Sequence, residues 1–239
     1  MLADKNILIT GSSSGIGKQI AIDCSLNNSN NFLCARRLDR LLELRKILKN
    51  PENQNVFQID LSIEIELDEL VNRLPNLDGI VLNAGVVQYR PISLITSQNI
   101  RDVFNVNFES NVLLIQKLLK AKKINKGASI VIISSISTRL GVPGTALYSA
   151  SKAALTSFSK VLASELSTKS IRVNTISPGL VNTEIYQSAL RLSDNSSSNY
   201  LLGVGDVTDV SNQVLFLLSN NSKWITGTDI ILDGGFLLS

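Results

Sequence analysis

Residues 6–17 read NILITGSSSGIG. Five residues rich in branched apolar side chains run straight into a loop of glycine and serine. An apolar pattern of helical period follows from residue 16. Gly11, Gly15 and Gly17 permit a tight turn and the close approach of a pyrophosphate, with Ser13, Ser14 and Ile16 completing it. The helix behind the turn presents free N–H groups and the positive end of its dipole. A plain Gly/Ser loop has the same composition, and glycines alone are a weak signal. Their place, at a strand-to-helix turn opening an alternating chain, favours a nucleotide site.

Outward from this turn the same rhythm repeats. Apolar runs at 6–10, 31–35, 56–59, 79–82, 129–133, 172–176 and 229–232 read as strands. Helical patterns fill 16–26, 38–48, 64–74, 100–122, 147–166 and 207–218. Strand and helix alternating in this way predict βαβ crossovers and an α/β fold, a parallel sheet with helices on both faces. There is no internal repeat and no second domain, so 1–239 reads as one domain. Residues 183–205, with the polar run DNSSSN at 194–199, have the composition of a substrate loop or lid.

Composition narrows the function classes. The chain has 239 residues, 44% of them hydrophobic, enough for a full core. Its net charge of +3 is scattered and its aromatics are few, so no nucleic-acid groove is expected. No apolar run approaches the roughly 18 residues of a membrane span, and no secretory leader is visible. Cys24 and Cys34 are too few for a disulfide framework and suit reduced thiols in the cytoplasm. There is no histidine. That removes Ser-His-Asp triads and most metal sites, and no metal is expected. It also leaves open which group would move protons.

The strand ends hold the candidates, because parallel sheets bind ligands at their carboxyl edge. The second strand ends in Cys34-Ala35-Arg36-Arg37. A carboxylate there would bind the ribose 2′-OH of NAD, whereas arginines suit the 2′-phosphate of NADP. Asp60 ends the third strand and Asn83-Ala84-Gly85 the fourth, although Asp, Asn and Gly also end strands as ordinary turn residues. Ser134-Ser135 closes the fifth and Ser177-Pro178-Gly179 the sixth. Tyr148 and Lys152, in LYSASKAAL, lie one helical turn apart on one face.

Together these motifs identify the chain as similar to the short-chain dehydrogenase/reductase family, in its short single-domain branch. The resemblance runs from Lys5 to Gly235. It rests on TGSSSGIG (10–17), NAG (83–85), VN (106–107), ISS (133–135), YSASK (148–152), PG (178–179) and DGG (233–235). Leu82 stands where the family often has a further asparagine, a packing position more than a chemical one. The resemblance implies a doubly wound Rossmann-type sheet of about seven strands in the order 3-2-1-4-5-6-7. It implies Tyr148 as acid/base, Ser135 on the substrate carbonyl, Lys152 on the nicotinamide ribose and Asn107 completing a proton relay. Asp60, Leu61, Pro178, Gly179, Val181 and Thr183 would join the glycine turn in binding the cofactor. The expected activity is NADP(H)-dependent interconversion of a ketone and a secondary alcohol. It is nearest to 3-oxoacyl-[acyl carrier protein] reductases, whose substrate is carried on a thioester. A dehydrogenase of another alcohol, sugar or small metabolite is the alternative, and a catalytically idle nucleotide sensor or scaffold is the rival of a different class.

Physical chemistry permits a tyrosine in this role. A free phenol has a pKa near 10. An ammonium about 4 Å away, at an effective dielectric near 20, would favour the phenolate by about 4 kcal/mol, roughly 3 pKa units. Finally, the helical segments 100–122 and 147–166 are apolar on more than one side, and Phe236-Leu237-Leu238 is apolar for a tail. Such surplus predicts burial against a second copy of the chain, and the family resemblance implies a homotetramer, with a homodimer as the alternative.

Overall fold

The computed structural model describes residues 1–183 and 200–238. Seven strands form one sheet: β1 (Asn6–Thr10), β2 (Asn30–Ala35), β3 (Asn55–Gln58), β4 (Leu77–Leu82), β5 (Ile124–Ile133), β6 (Arg172–Pro178) and β7 (Asp229–Leu232). Their order is β3-β2-β1-β4-β5-β6-β7 and every pairing is parallel. Among the described residues the α-helices are α1 (Gly15–Leu26), α2 (Leu38–Ile47), α3 (Glu64–Arg73), α4 (Ser97–Phe104), α5 (Ser110–Lys120), α6 (Ala146–Leu166) and α7 (Val207–Leu218).

The strands are apolar without a break because both faces are covered. Ile7 and Ile9 point one way, onto Ile20 of α1, Leu41 of α2 and Val214 of α7. Leu8, between them, points the other way, into a core with Leu70 of α3, Leu114 of α5 and Leu155 of α6. Each fully buried leucine or isoleucine contributes on the order of 1.5–3 kcal/mol. The chain winds β1, β2, β3 outward and then returns to place β4 on the other side of β1. That reversal opens a crevice at the carboxyl ends of β1 and β4.

One helix and two strands depart from the sequence reading. The helix expected over 100–122 begins at Ser97, where Thr96 and Asn99 form a capping box, and a π-helical turn at Asn105–Glu109 separates α4 from α5. The strands expected at 79 and 129 begin earlier, at Leu77 and Ile124, which pair with each other before a shift in register. The polar residues 125–127 lie in that outer part of β5, where no core requires apolar side chains. The substrate loop expected at 183–205 falls largely outside the described residues. Its two ends are tied together, Val181 bridging Gly205 and the Asn182 N–H donating to the Gly205 carbonyl at 2.9 Å. Among the described residues no helix is long and apolar enough to cross a membrane.

Candidate active site

The turn after β1 is built by its glycines. Gly11 and Gly15 have φ of +66° and +51°, the left-handed region that other residues avoid. A Cβ at Gly17 would collide with Asn83 Nδ2 and the Gly11 carbonyl oxygen, so α1 lies against the end of β4 as only glycine allows. Asn83 donates from Nδ2 to the Thr10 and Gly11 carbonyls, and the Thr10 hydroxyl accepts from the Asn83 and Ala84 N–H groups. Asn83 and Ala84 therefore brace the turn from behind.

Ser14 stands before α1 in an extended conformation, its side chain making no capping bond, and no acidic residue occupies the first turn. Positive charge gathers there instead. Arg37 donates to the Ser13 hydroxyl at 3.2 Å and the Ser14 hydroxyl at 3.0 Å. Arg36 is exposed beside it. A cleft of about 730 Å³ opens here, lined by Ser13, Ser14, Gly15, Lys18 and Thr183 among others. An uncapped helix end, a glycine cradle and two arginines at the end of β2 fit the phosphates of a dinucleotide. Asp60 is partly committed to its own turn: Oδ1 accepts from the Ser62 N–H and hydroxyl. Leu61, beside it, is buried in the core.

The candidates for chemistry meet around Gly85. A Cβ there would lie 3.3 Å from both Asn107 Oδ1 and Lys152 Nζ. Asn107, fully buried in the π-helical turn, accepts from the Val86 N–H at 2.7 Å and donates to the Val86 carbonyl and the Ser151 hydroxyl. Its side chain thus fixes the loop after β4, and its own carbonyl accepts from Asn111 Nδ2 at 2.8 Å. Lys152, on α6, is buried and donates from Nζ to the Ile133 carbonyl at 2.8 Å. Burial lowers its pKa to about 8. Ser135 caps the 3-10 turn Ile136–Arg139, its hydroxyl accepting from the Ser137 N–H at 3.1 Å.

Tyr148 corrects one expectation. Lys152 Nζ lies over the Tyr148 ring, 5.9 Å from its centre. Burial dominates and raises the phenol's pKa; the hydrogen bond with Ser135 acts the other way, and the neighbouring phenol of Tyr89 adds to the rise. The chain's own field therefore keeps Tyr148 protonated. Desolvation prevails because the phenol is half-buried, while the buried Lys152 ammonium faces the ring.

At the far edge, Gly179 closes β6 with its N–H on the Leu232 carbonyl, and a Cβ there would lie 2.9 Å from Asp233 Cα and from Tyr200 Cε1. Pro178 pairs with Leu232, so the PG and DGG motifs meet. Val181 is buried, and the Thr183 hydroxyl donates to its carbonyl at 3.3 Å. Sequence reasoning missed Tyr89. Nothing in its local pattern marks it, since it reaches Tyr148 only through the loop after β4. That loop is pinned twice, by Asn107 on Val86 and by the Arg90 N–H on the Gly144 carbonyl at 2.8 Å.

The assembly can hold a small molecule's oxygen against a protonated phenol, with a hydroxyl to orient it and a buried ammonium behind. The chain is similar to known proteins along almost its whole length. A family model described as enoyl-(acyl carrier protein) reductase matches residues 11–237. A 3-oxoacyl-[acyl-carrier-protein] reductase of Rickettsia felis is 31% identical over 239 residues, covering 99% of this chain and 98% of the relative. An L-xylulose reductase of Caenorhabditis elegans is 34% identical over 244 residues, covering 98% and 96%. The solved structure of ElxO with NADP bound superposes with a TM-score of 0.87 at 28% identity, covering 99% of this chain and 100% of that one.

Proposed function

Because the chain belongs to the short-chain dehydrogenase/reductase family, we propose that it interconverts a ketone and a secondary alcohol with NADP(H), Tyr148 serving as the acid/base. The observation that carries this reading is the convergence of Ser135, Tyr148, Lys152 and Asn107 at the crevice beside the glycine turn. The nicotinamide, when bound, supplies or accepts the hydride. Gly11, Gly15 and Gly17 admit its pyrophosphate to the α1 N-terminus. Arg36 and Arg37 favour a 2′-phosphate, and Lys152 reaches the ribose. Ser135 orients the substrate oxygen, and Tyr148 gives it a proton in reduction or takes one in oxidation. Burial holds the phenol protonated, the state that reduction consumes. The phenolate left behind has the Lys152 ammonium over its ring, 5.9 Å from the centre.

A complete Ser135–Tyr148–Lys152–Asn107 set counts against an idle sensor, which has no use for it. Two substrate classes are in view. Likeness to 3-oxoacyl reductases supports a thioester-borne ketone. Polar atoms on the loop after β4 support a small polar ketone such as a ketose: Gln88 Oε1 and Arg90 Nε, on either side of Tyr89, are buried without hydrogen-bond partners. We place the chain in a homotetramer, with a homodimer as the alternative.

The test is loss of NADPH absorbance with a panel of 3-oxoacyl thioesters, ketoses and plain ketones. Tyr148→Phe should bind NADPH normally and lose about 100- to 10,000-fold in turnover, the range for a general acid. Near-normal turnover in Tyr148→Phe would overturn the mechanism, and silence of the wild-type chain towards the whole panel would overturn the activity.

A further inference from the structure

A carboxylate far from the crevice in sequence is tied to the turn that carries Ser135. Asp229 stands at the start of β7 with its side chain only 6% exposed. Its Oδ1 accepts from the Thr175 hydroxyl at 2.8 Å and the Ser177 hydroxyl at 2.7 Å, both fully buried on β6. Its Oδ2 accepts from Arg139 Nη2 at 3.0 Å. Arg139 is the last residue of the 3-10 turn Ile136–Arg139, and Ser135 is that turn's cap.

A buried carboxylate is costly unless it is charge-paired and hydrogen-bonded, and here both oxygens are. The two β6 hydroxyls fix the carboxylate, and the fixed carboxylate fixes the guanidinium. The 3-10 turn is then held at both ends. Ser135 accepts the Ser137 N–H with its hydroxyl, and its carbonyl accepts the Thr138 hydroxyl at 2.9 Å. Arg139 is anchored on the sheet. A turn of four residues has too few internal bonds to hold its cap rigidly.

We propose that Asp229 and Arg139 are positioning residues that clamp this turn and thereby aim the Ser135 hydroxyl. The proposal rests on the role given to Ser135 above. Releasing the clamp lets the turn fray from its Arg139 end, and the Ser137 N–H and Thr138 hydroxyl lose their fixed partners on Ser135. The Ser135 hydroxyl then no longer meets Tyr148 in one geometry. Because that bond opposes the rise in the Tyr148 pKa, its loss moves the phenol further upward.

The experiment compares wild type, Arg139→Ala, Asp229→Asn and Arg139→Lys. Arg139 is nearly half exposed, so Arg139→Ala removes the clamp without opening the core. In the protein without added cofactor or substrate, amide exchange at Ser137 should quicken about tenfold in Arg139→Ala, while Val131 and Ile176 in the sheet stay protected, as expected of a local opening. In turnover, kcat should fall about tenfold with KM for NADPH unchanged, one transition-state interaction being lost. The midpoint of the pH profile for alcohol oxidation should move to higher pH, and Arg139→Lys should recover most of each effect. Unchanged exchange at Ser137 overturns the clamp whatever the activity. Faster exchange with unchanged kcat and pH profile overturns its link to Ser135. If the wild-type chain reduces nothing, the proposed function falls, and the exchange result alone decides whether the clamp exists.

Discussion

Tyr148 and Lys152 are each shifted by burial before any ligand is considered, and the shifts run in opposite directions. For Lys152 the folded pKa is about 8, below its ordinary value of 10.5. Between those two values the unfolded chain holds a proton that the folded chain does not. Stability therefore rises with pH across that window, by on the order of 3 kcal/mol for this group, and is lost as pH falls towards 8. Lys152→Met should abolish activity and remove this slope. Its stability at neutral pH should change less, because the relieved desolvation is offset by an unpaired Ile133 carbonyl worth about 1–3 kcal/mol. Urea titrations at pH 8 and 10 measure the difference, and an identical slope in both proteins would contradict it. The arginines at the end of β2 divide their work. Both are exposed, and Arg37 leans onto Ser13 and Ser14. On the proposed reading, Arg37→Ala should weaken NADPH about tenfold and NADH little, since a charged hydrogen bond to phosphate is worth about 1.5–3 kcal/mol. Arg36→Asp should turn the preference towards NADH. Equal losses for both cofactors, measured by fluorescence titration, would remove these residues from 2′-phosphate recognition.

At the scale of elements, the helix reading of 100–122 was right in kind and wrong in continuity. Apolar periodicity reports which face is buried, and it does not register one extra residue in a turn. The π-helical turn is visible only in its bonds. The Ser110 hydroxyl donates to the Val106 carbonyl at 2.7 Å, and Asn111 Nδ2 donates to the Asn107 carbonyl. These side chains supply partners where the regular ladder is disturbed, and Asn107 sits buried at that point. The last turn of α7 shows a second device that the pattern does not reveal. Arg172 donates to the Leu217 and Ser219 carbonyls at 2.8 and 3.1 Å, and Lys5 donates to the Leu218 carbonyl at 3.2 Å. Two cations from β6 and the β1 edge satisfy the carbonyls that a helix end leaves open and complement its dipole. Arg172→Ala should cost about 2–3 kcal/mol and lower Tm by roughly 5–10 °C. Calorimetry that finds a Tm within a degree of wild type would show that water replaces the guanidinium without loss.

At the scale of the molecule, the apolar surplus of α5 and α6 is partly absorbed within the chain. Phe108 and Phe158 pack edge to face at 6.3 Å, and both lean on the core with Leu113. Val161 on α6 stays 57% exposed, and Trp224 and Leu238 are 97% and 85% exposed. Exposed apolar side chains of this size suit contact with a second copy. Light scattering at micromolar concentration should give a mass two or four times 26.0 kDa. Val161→Lys should lower the mass if α6 forms the contact, and a fully active monomer would discard the tetramer. The sequence alone determined the sheet, its two covered faces, the glycine turn and the residues gathered at the strand ends, because side-chain periodicity and glycine's freedom are local properties. Tertiary structure alone decided that Tyr89 reaches Tyr148, that Asp229 holds Arg139, and that burial and not Lys152 sets the resting state of the Tyr148 phenol. Those outcomes depend on distance and desolvation between segments up to 90 residues apart, and linear spacing carries neither.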